Sequence, residues 1–173
     1  TVPLCAGVPC NRGEIFYRKS NTVMISCFYL YRKDEIYLNI VILDGQGGRL
    51  GRMLVEQLKT SLPQAKITAI GTNSIATSAM LKAGADAGAT GENPALVACR
   101  DAQLIIGPLG IVIADSLLGE ITPAMAKAVG QSPAHKILIP INRCNNTVVG
   151  VGDLSYTDYV RLAVEEAIHF SSH

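Results

Sequence analysis

From residue 37 onward the chain alternates unbroken apolar runs with stretches whose apolar positions recur every three or four residues. "YLNIVIL", residues 37–43, is rich in β-branched residues with little polar alternation, as a strand buried on both faces requires. A glycine-rich turn follows. "RMLVEQLKTSL" then places Met53, Leu54, Leu58 and Leu62 at helical spacing, and Pro63 closes that helix. "KITAIG" predicts a second strand. "TNSIATSAMLKAGA" predicts a second helix, with Thr72, Asn73 or Ser74 as its cap and Gly84 as its stop. "AGAT" is a weak third strand, and Asn93-Pro94 reads as a cap and first-turn proline opening "ALVACRDA". "QLIIG" predicts a fourth strand, with "IVIADSLLGE" and "TPAMAKAVG" as helical pieces after it. Thr122-Pro123 repeats the cap-then-proline signal. "HKILIPI" is a fifth strand, "TVVGV" a candidate sixth, and "SYTDYVRLAVEEAIHF" a terminal amphipathic helix capped by Ser155 or Thr157.

Strands alternating with helices imply a sheet covered on both sides. The expected fold is a Rossmann-like three-layer α/β/α domain with a mostly parallel sheet of five or six strands, spanning residues 38–173. Residues 1–37 lack a clear period. They read as an atypical extension without regular structure, as a start-site artefact, or as one extra strand at residues 23–31.

Composition narrows the function. The chain has 173 residues and a formal net charge of +1, so no global field draws in a nucleic acid polymer or an anionic membrane. No apolar stretch reaches the roughly 18–20 residues that a spanning helix needs. Five cysteines without a CxxC pair (Cys5, Cys10, Cys27, Cys99, Cys144) argue against a disulfide framework or a structural zinc site, and for a reducing cytoplasm. Three scattered histidines give no metal site.

The turn "LDGQGGRLGR" carries the first candidate chemistry. Gly45, Gly48 and Gly51 recur every three residues, and Gly47 adds a G-x-G reading. Between a strand and a helix such glycines permit a tight turn, bring bare backbone to a phosphate and let the helix pack closely. The helix start offers unpaired N–H groups and partial positive charge. Arg49 and Arg52 add charge-assisted donors. Asp44, Leu50 and the turn glycines are therefore candidate ligand contacts. Asp44 would repel a pyrophosphate unless it faces a ribose, a metal ion or its own helix end. An NAD site also wants a carboxylate ending the second strand. This chain has Gly71, Thr72, Asn73 and Ser74 there, whose polar groups could meet a ribose or phosphate. NAD is thus not favoured over NADP, a mononucleotide or a phosphorylated metabolite.

Gly107 and Pro108, in "GPLG", offer a second close backbone approach. Weaker catalytic candidates are Asp44, Glu92, Asp115 and Cys144. Asp115 stands in an apolar stretch, where a buried carboxylate needs a partner. Glu120, just before Thr122-Pro123, reads as a first-turn charge. Cys144 has Asn142, Arg143, Asn145 and Asn146 around it, but His135, His169 and His173 are poorly placed as its base. Tyr156 and Tyr159 have no lysine four residues on, so short-chain dehydrogenase machinery is absent, as is a G-x-x-x-x-G-K-[ST] loop. The apolar piece at residues 111–118 is a candidate homo-oligomer seam.

"DGQGGRLGR", "GTNSIATSAMLKAGAD", "ATGEN", "IIGPLGIVIADSLLGEITPAMA" and "ILIPINRCNNTVVGV" resemble a bacterial domain-of-unknown-function family, number thirty-eight forty-two. The similarity covers about residues 39–153. It implies a Rossmann-like fold and a bacterial source, and supplies no reaction. The expected function is a nucleotide- or dinucleotide-binding module, as sensor or regulatory subunit, holding NAD(P) or another nucleotide; the alternative is a small NAD(P)-dependent oxidoreductase or transferase.

Overall fold

A computed structural model describes residues 37–141, 146–152 and 154–172. Residues 1–36 of the extension read at residues 1–37, and the candidate Cys144, lie outside the described residues.

Five strands form one sheet: β1 Asn39–Asp44, β2 Lys66–Gly71, β3 Ala87–Thr90, β4 Leu104–Pro108 and β5 His135–Ile139. Every neighbouring pair is parallel, in the order β3-β2-β1-β4-β5. That is the Rossmann order, and the five predicted strands are all present. "TVVGV" forms no strand.

The apolar runs explain the layering. Successive residues of a strand face opposite sides. Ile40, Ile42, Ile67, Leu104 and Ile106 point to one core, built with α1 Arg49–Ser61, α2 Ser74–Lys82 and α6 Tyr156–Ser171. Val41, Leu43, Ile70 and Ile105 point to the other, built with α3 Glu92–Asp101 and α5 Pro123–Gln131. A fully buried Ile or Leu such as Ile42, Leu54 or Ile106 contributes about 1.5–3 kcal/mol. Cys99, on α3, is buried in the second core, and desolvation pushes its thiol up to about 11 against a smaller opposing effect of Lys136.

Caps follow the expected chemistry in most places. Asn73 caps α2 by accepting the Ala76 N–H at 2.9 Å. Thr122 caps α5 through Met125 N–H, with Pro123 in the first turn. Ser155 caps α6 through Asp158 N–H. At α3 the helix begins at Glu92 after Gly91, so Asn93 lies inside the first turn and does not cap it.

The larger departure lies between β4 and α5. "IVIADSLLGE" is not a continuous helix. A 3-10 turn covers Leu109–Val112, and a single turn, α4, covers Ser116–Gly119. Asp115, Leu117 and Leu118 all have left-handed backbone, at φ 61°, 54° and 62°. Each costs about 1–2 kcal/mol for a side-chain-bearing residue. Apolar composition suggested a helix, but nothing in these residue types signals left-handed geometry. Residues 111–118, read as an apolar helical piece, therefore do not form one helix. Asp115 is exposed, so its presumed burial is also corrected.

Candidate functional site

The strand order reverses between β1 and β4, and there the loops leaving their carboxyl ends part. In open α/β sheets this is where ligands bind. A cleft of about 240 Å³ opens at that point. One wall is the β1–α1 turn, from Asp44 to Leu50. The opposite wall is Pro108, Leu109 and Gly110, after β4. Ile113 and Leu117 contribute from the irregular segment, and Ile141, Asn146 and Tyr156 complete the lining. A larger hollow of about 330 Å³ lies beneath α3, at the start of β1 and β2, and its lining is mostly apolar.

The four glycines of the turn do different things. Gly48 has φ +66°, and a Cβ there would fall 2.6 Å from the Ala76 backbone, so glycine is required where α1 passes α2. A Cβ on Gly51 would overlap Met80 and come 2.9 Å from Asp44 Cβ. At Gly45 it would stand 2.5 Å from a Glu120 carboxylate oxygen. Gly47 alone among the four has open space beside it. Three glycines thus serve internal approach, and of the three that line the cleft, Gly45, Gly47 and Gly48, only Gly47 has room for a side chain.

The first helical turn is partly satisfied by the protein itself. Asp44 Oδ1 accepts Gly45 N–H at 2.8 Å, and Oδ2 accepts Gly51 N–H at 2.7 Å. The carboxylate faces its own helix end, which offsets the cost of burying it. Its pKa is raised: burial dominates, and the Glu120 charge adds to it. The amides of Gly51, Gly45 and Leu50 oppose the rise without cancelling it.

Glu120 is the residue that sequence reasoning placed wrongly. It is not a first-turn charge of α5. Its carboxylate accepts Gln46 N–H at 2.7 Å, the Thr72 hydroxyl and the Asn73 side-chain amide at 3.2 Å. Its partners are 74, 48 and 47 residues away, so no local pattern could reveal them. Thr72 and Asn73 are therefore engaged with Glu120, and Ser74 is the exposed first residue of α2.

Of the candidate contacts, Asp44, Gly45, Gly47, Gly48, Arg49, Leu50 and Pro108 line the cleft together. Gly51, Thr72, Asn73, Ser74 and Gly107 do not line it. Gly107 sits where a Cβ would strike the Leu43 carbonyl. Glu92 accepts the Thr122 hydroxyl at 2.5 Å, linking α3 to α5 away from the cleft. Tyr156 was not foreseen as a lining residue, whereas Asn146 belongs to the polar run already read around Cys144. The Arg49 guanidinium carbon lies 5.1 Å from the Tyr156 ring centroid, a cation–π approach. Among the described residues, Gly47 N–H and Arg49 N–H have no protein acceptor. No group of three or more metal-ligating side chains occurs among them. Nor is any helix among them long and apolar enough to cross a membrane.

The profile of one protein family, described as Domain of unknown function (DUF3842), matches residues 39–171. The chain belongs to that family. The match spans β1 through α6, and so includes the glycine turn, Glu120 and Tyr156. No curated protein matches the chain. Among solved structures, a universal stress protein from Archaeoglobus fulgidus is similar at 19% identity and a TM-score of 0.35, covering 59% of this chain and 98% of that one.

Proposed function

We propose that the protein is a binding module for a phosphorylated ligand no larger than a mononucleotide, held in the cleft between the β1–α1 turn and the loop after β4. What carries the reading is the position of the cleft at the reversal of strand order, bordered by Gly47 and Arg49. The free N–H groups of Gly47 and Arg49 and the Arg49 guanidinium would take the phosphate. Tyr156 supplies a ring at the same wall.

NAD(P) fits these residues poorly. Asp44 already holds the Gly51 amide that a pyrophosphate would use. The carboxylate beside the end of β2 belongs to Glu120, and both its oxygens are taken. At about 240 Å³, the cleft is also below the roughly 300–1,000 Å³ usual for drug-sized ligands. Asp44 is the one acidic group lining the cleft among the described residues, and its oxygens are both held by amides. That favours binding, as in a sensor or regulatory subunit, over proton transfer.

Thermal unfolding with AMP, ADP, ATP, NADP and inorganic phosphate tests this. A mononucleotide at 100 times its dissociation constant should stabilise the protein by about 2.7 kcal/mol. Gly47→Asp should abolish the shift, because it adds a negative charge at the cleft where a side chain has room. No shift with any of these compounds, or a shift that survives Gly47→Asp, would overturn the proposal.

A further inference from the structure

Three donors from the strand-end frame converge on one carboxylate. Gln46 N–H and the Thr72 hydroxyl meet Glu120 Oε2, and the Asn73 side-chain amide meets Oε1. The donors are fixed by other bonds. Asn73 caps α2 and gives a second bond from its amide nitrogen to the Gln46 carbonyl at 2.9 Å. Thr72 N–H continues the β1–β2 ladder to Asp44 O at 3.0 Å. The acceptor, in contrast, is carried by an irregular segment. Asp115, Leu117 and Leu118 are left-handed there, and Leu118 is 95% exposed. Gly45 brings bare main chain against the carboxylate.

We propose that Gln46 N–H, Thr72 Oγ1 and Asn73 Nδ2 form a second anion subsite, shaped for a carboxylate or phosphoryl group, which Glu120 fills as an internal ligand and from which an anionic group of the cleft ligand displaces it. Gly45, Gln46 and Leu117 border the cleft, so the two regions adjoin. Asp44 repels any anion brought here, but it already faces the Glu120 charge, and the exchange replaces one negative group with another. That the displacing group belongs to the cleft ligand rests on the reading proposed above; the subsite itself does not.

Inorganic phosphate and acetate are the probes, titrated calorimetrically against wild type, Glu120→Gln and Glu120→Ala. Phosphate should bind Glu120→Ala at least tenfold more tightly than wild type, with Glu120→Gln between them. Adding Thr72→Val to Glu120→Ala should return affinity to the wild-type level. Unchanged affinity in both variants, or a gain that survives Thr72→Val, would overturn the subsite. Should Glu120→Ala not fold, the near-isosteric Glu120→Gln decides alone, and equal affinity to wild type sinks the proposal. A phosphate gain in the variants without nucleotide binding by wild type keeps the subsite and removes the mononucleotide reading. Nucleotide binding without the gain does the reverse.

Discussion

At the scale of single residues, the glycine turn separates sterically into positions that a motif treats alike. A Cβ on Gly47 meets nothing within 4 Å, whereas one on Gly48 meets the Ala76 backbone in a left-handed conformation. Gly51 and Gly45 are intermediate, since Met80 and Glu120 are flexible side chains that can move. Alanine substitutions should therefore rank in cost. Gly47→Ala should fall within about 0.5 kcal/mol of wild type. Gly45→Ala and Gly51→Ala should lose about 1–3 kcal/mol. Gly48→Ala should lose more, because strain and a backbone clash add. Urea unfolding at neutral pH measures the series, and equal costs would contradict the assignment of roles.

At the scale of elements, what could be read from the chain depended on whether a structure is held locally. The strands were legible because "NIVIL" and "LII" must be buried on both faces, and α2 and α6 because Asn73 and Ser155 announce their starts. Residues 109–120 were not legible. Their apolar content matched a helix, while their course is set by bonds of non-helical spacing within the segment, Ser116 to the Gly110 carbonyl and Asp115 N–H to Ile121 O, and by the distant bonds of Glu120 to the strand ends. Likewise the Gly-rich turn was found, and Asp44 facing its own helix end was one of the readings left open, but the second carboxylate against the turn, Glu120, was not foreseen.

The opposite end of the sheet carries a clamp of the same nonlocal kind. Asp86 binds Lys59 Nζ at 2.5 Å and Ile67 N–H at 2.7 Å, tying the end of α1 to the starts of β2 and β3. Slight burial pushes the Asp86 pKa up, but Lys59 and the Ile67 amide outweigh it and leave the value below 3.8. A lowered carboxylate pKa stabilises the fold above the unfolded value and loses that contribution as pH falls through the folded one. Asp86→Asn should thus be less stable than wild type at neutral pH, and the gap should close only below about pH 3.8. Paired unfolding curves from pH 7 to pH 3 check this. A gap independent of pH would mean that the charge does not act.

At the scale of the whole molecule, the fold determines where a site can be but not what fills it. Five parallel strands with one reversal leave a single topological crevice, and the β1–α1 turn, the loop after β4 and the start of α6 meet there. With a net charge of +1 the molecule has little long-range pull on an anion, so recognition falls to Arg49 and the local amides. The two cores flanking the sheet share β1 and β4, so parting those strands exposes both at once. Cys99, shut inside one of them with its thiol at about 11, thereby becomes a gauge of that event. A maleimide should leave it unmodified in the native protein and capture it at the rate of global opening, resolved from the other cysteines by peptide mass. Rapid native-state alkylation of Cys99 would mean that the α3–α5 layer lifts off independently, making this α/β sandwich two cooperative units instead of one.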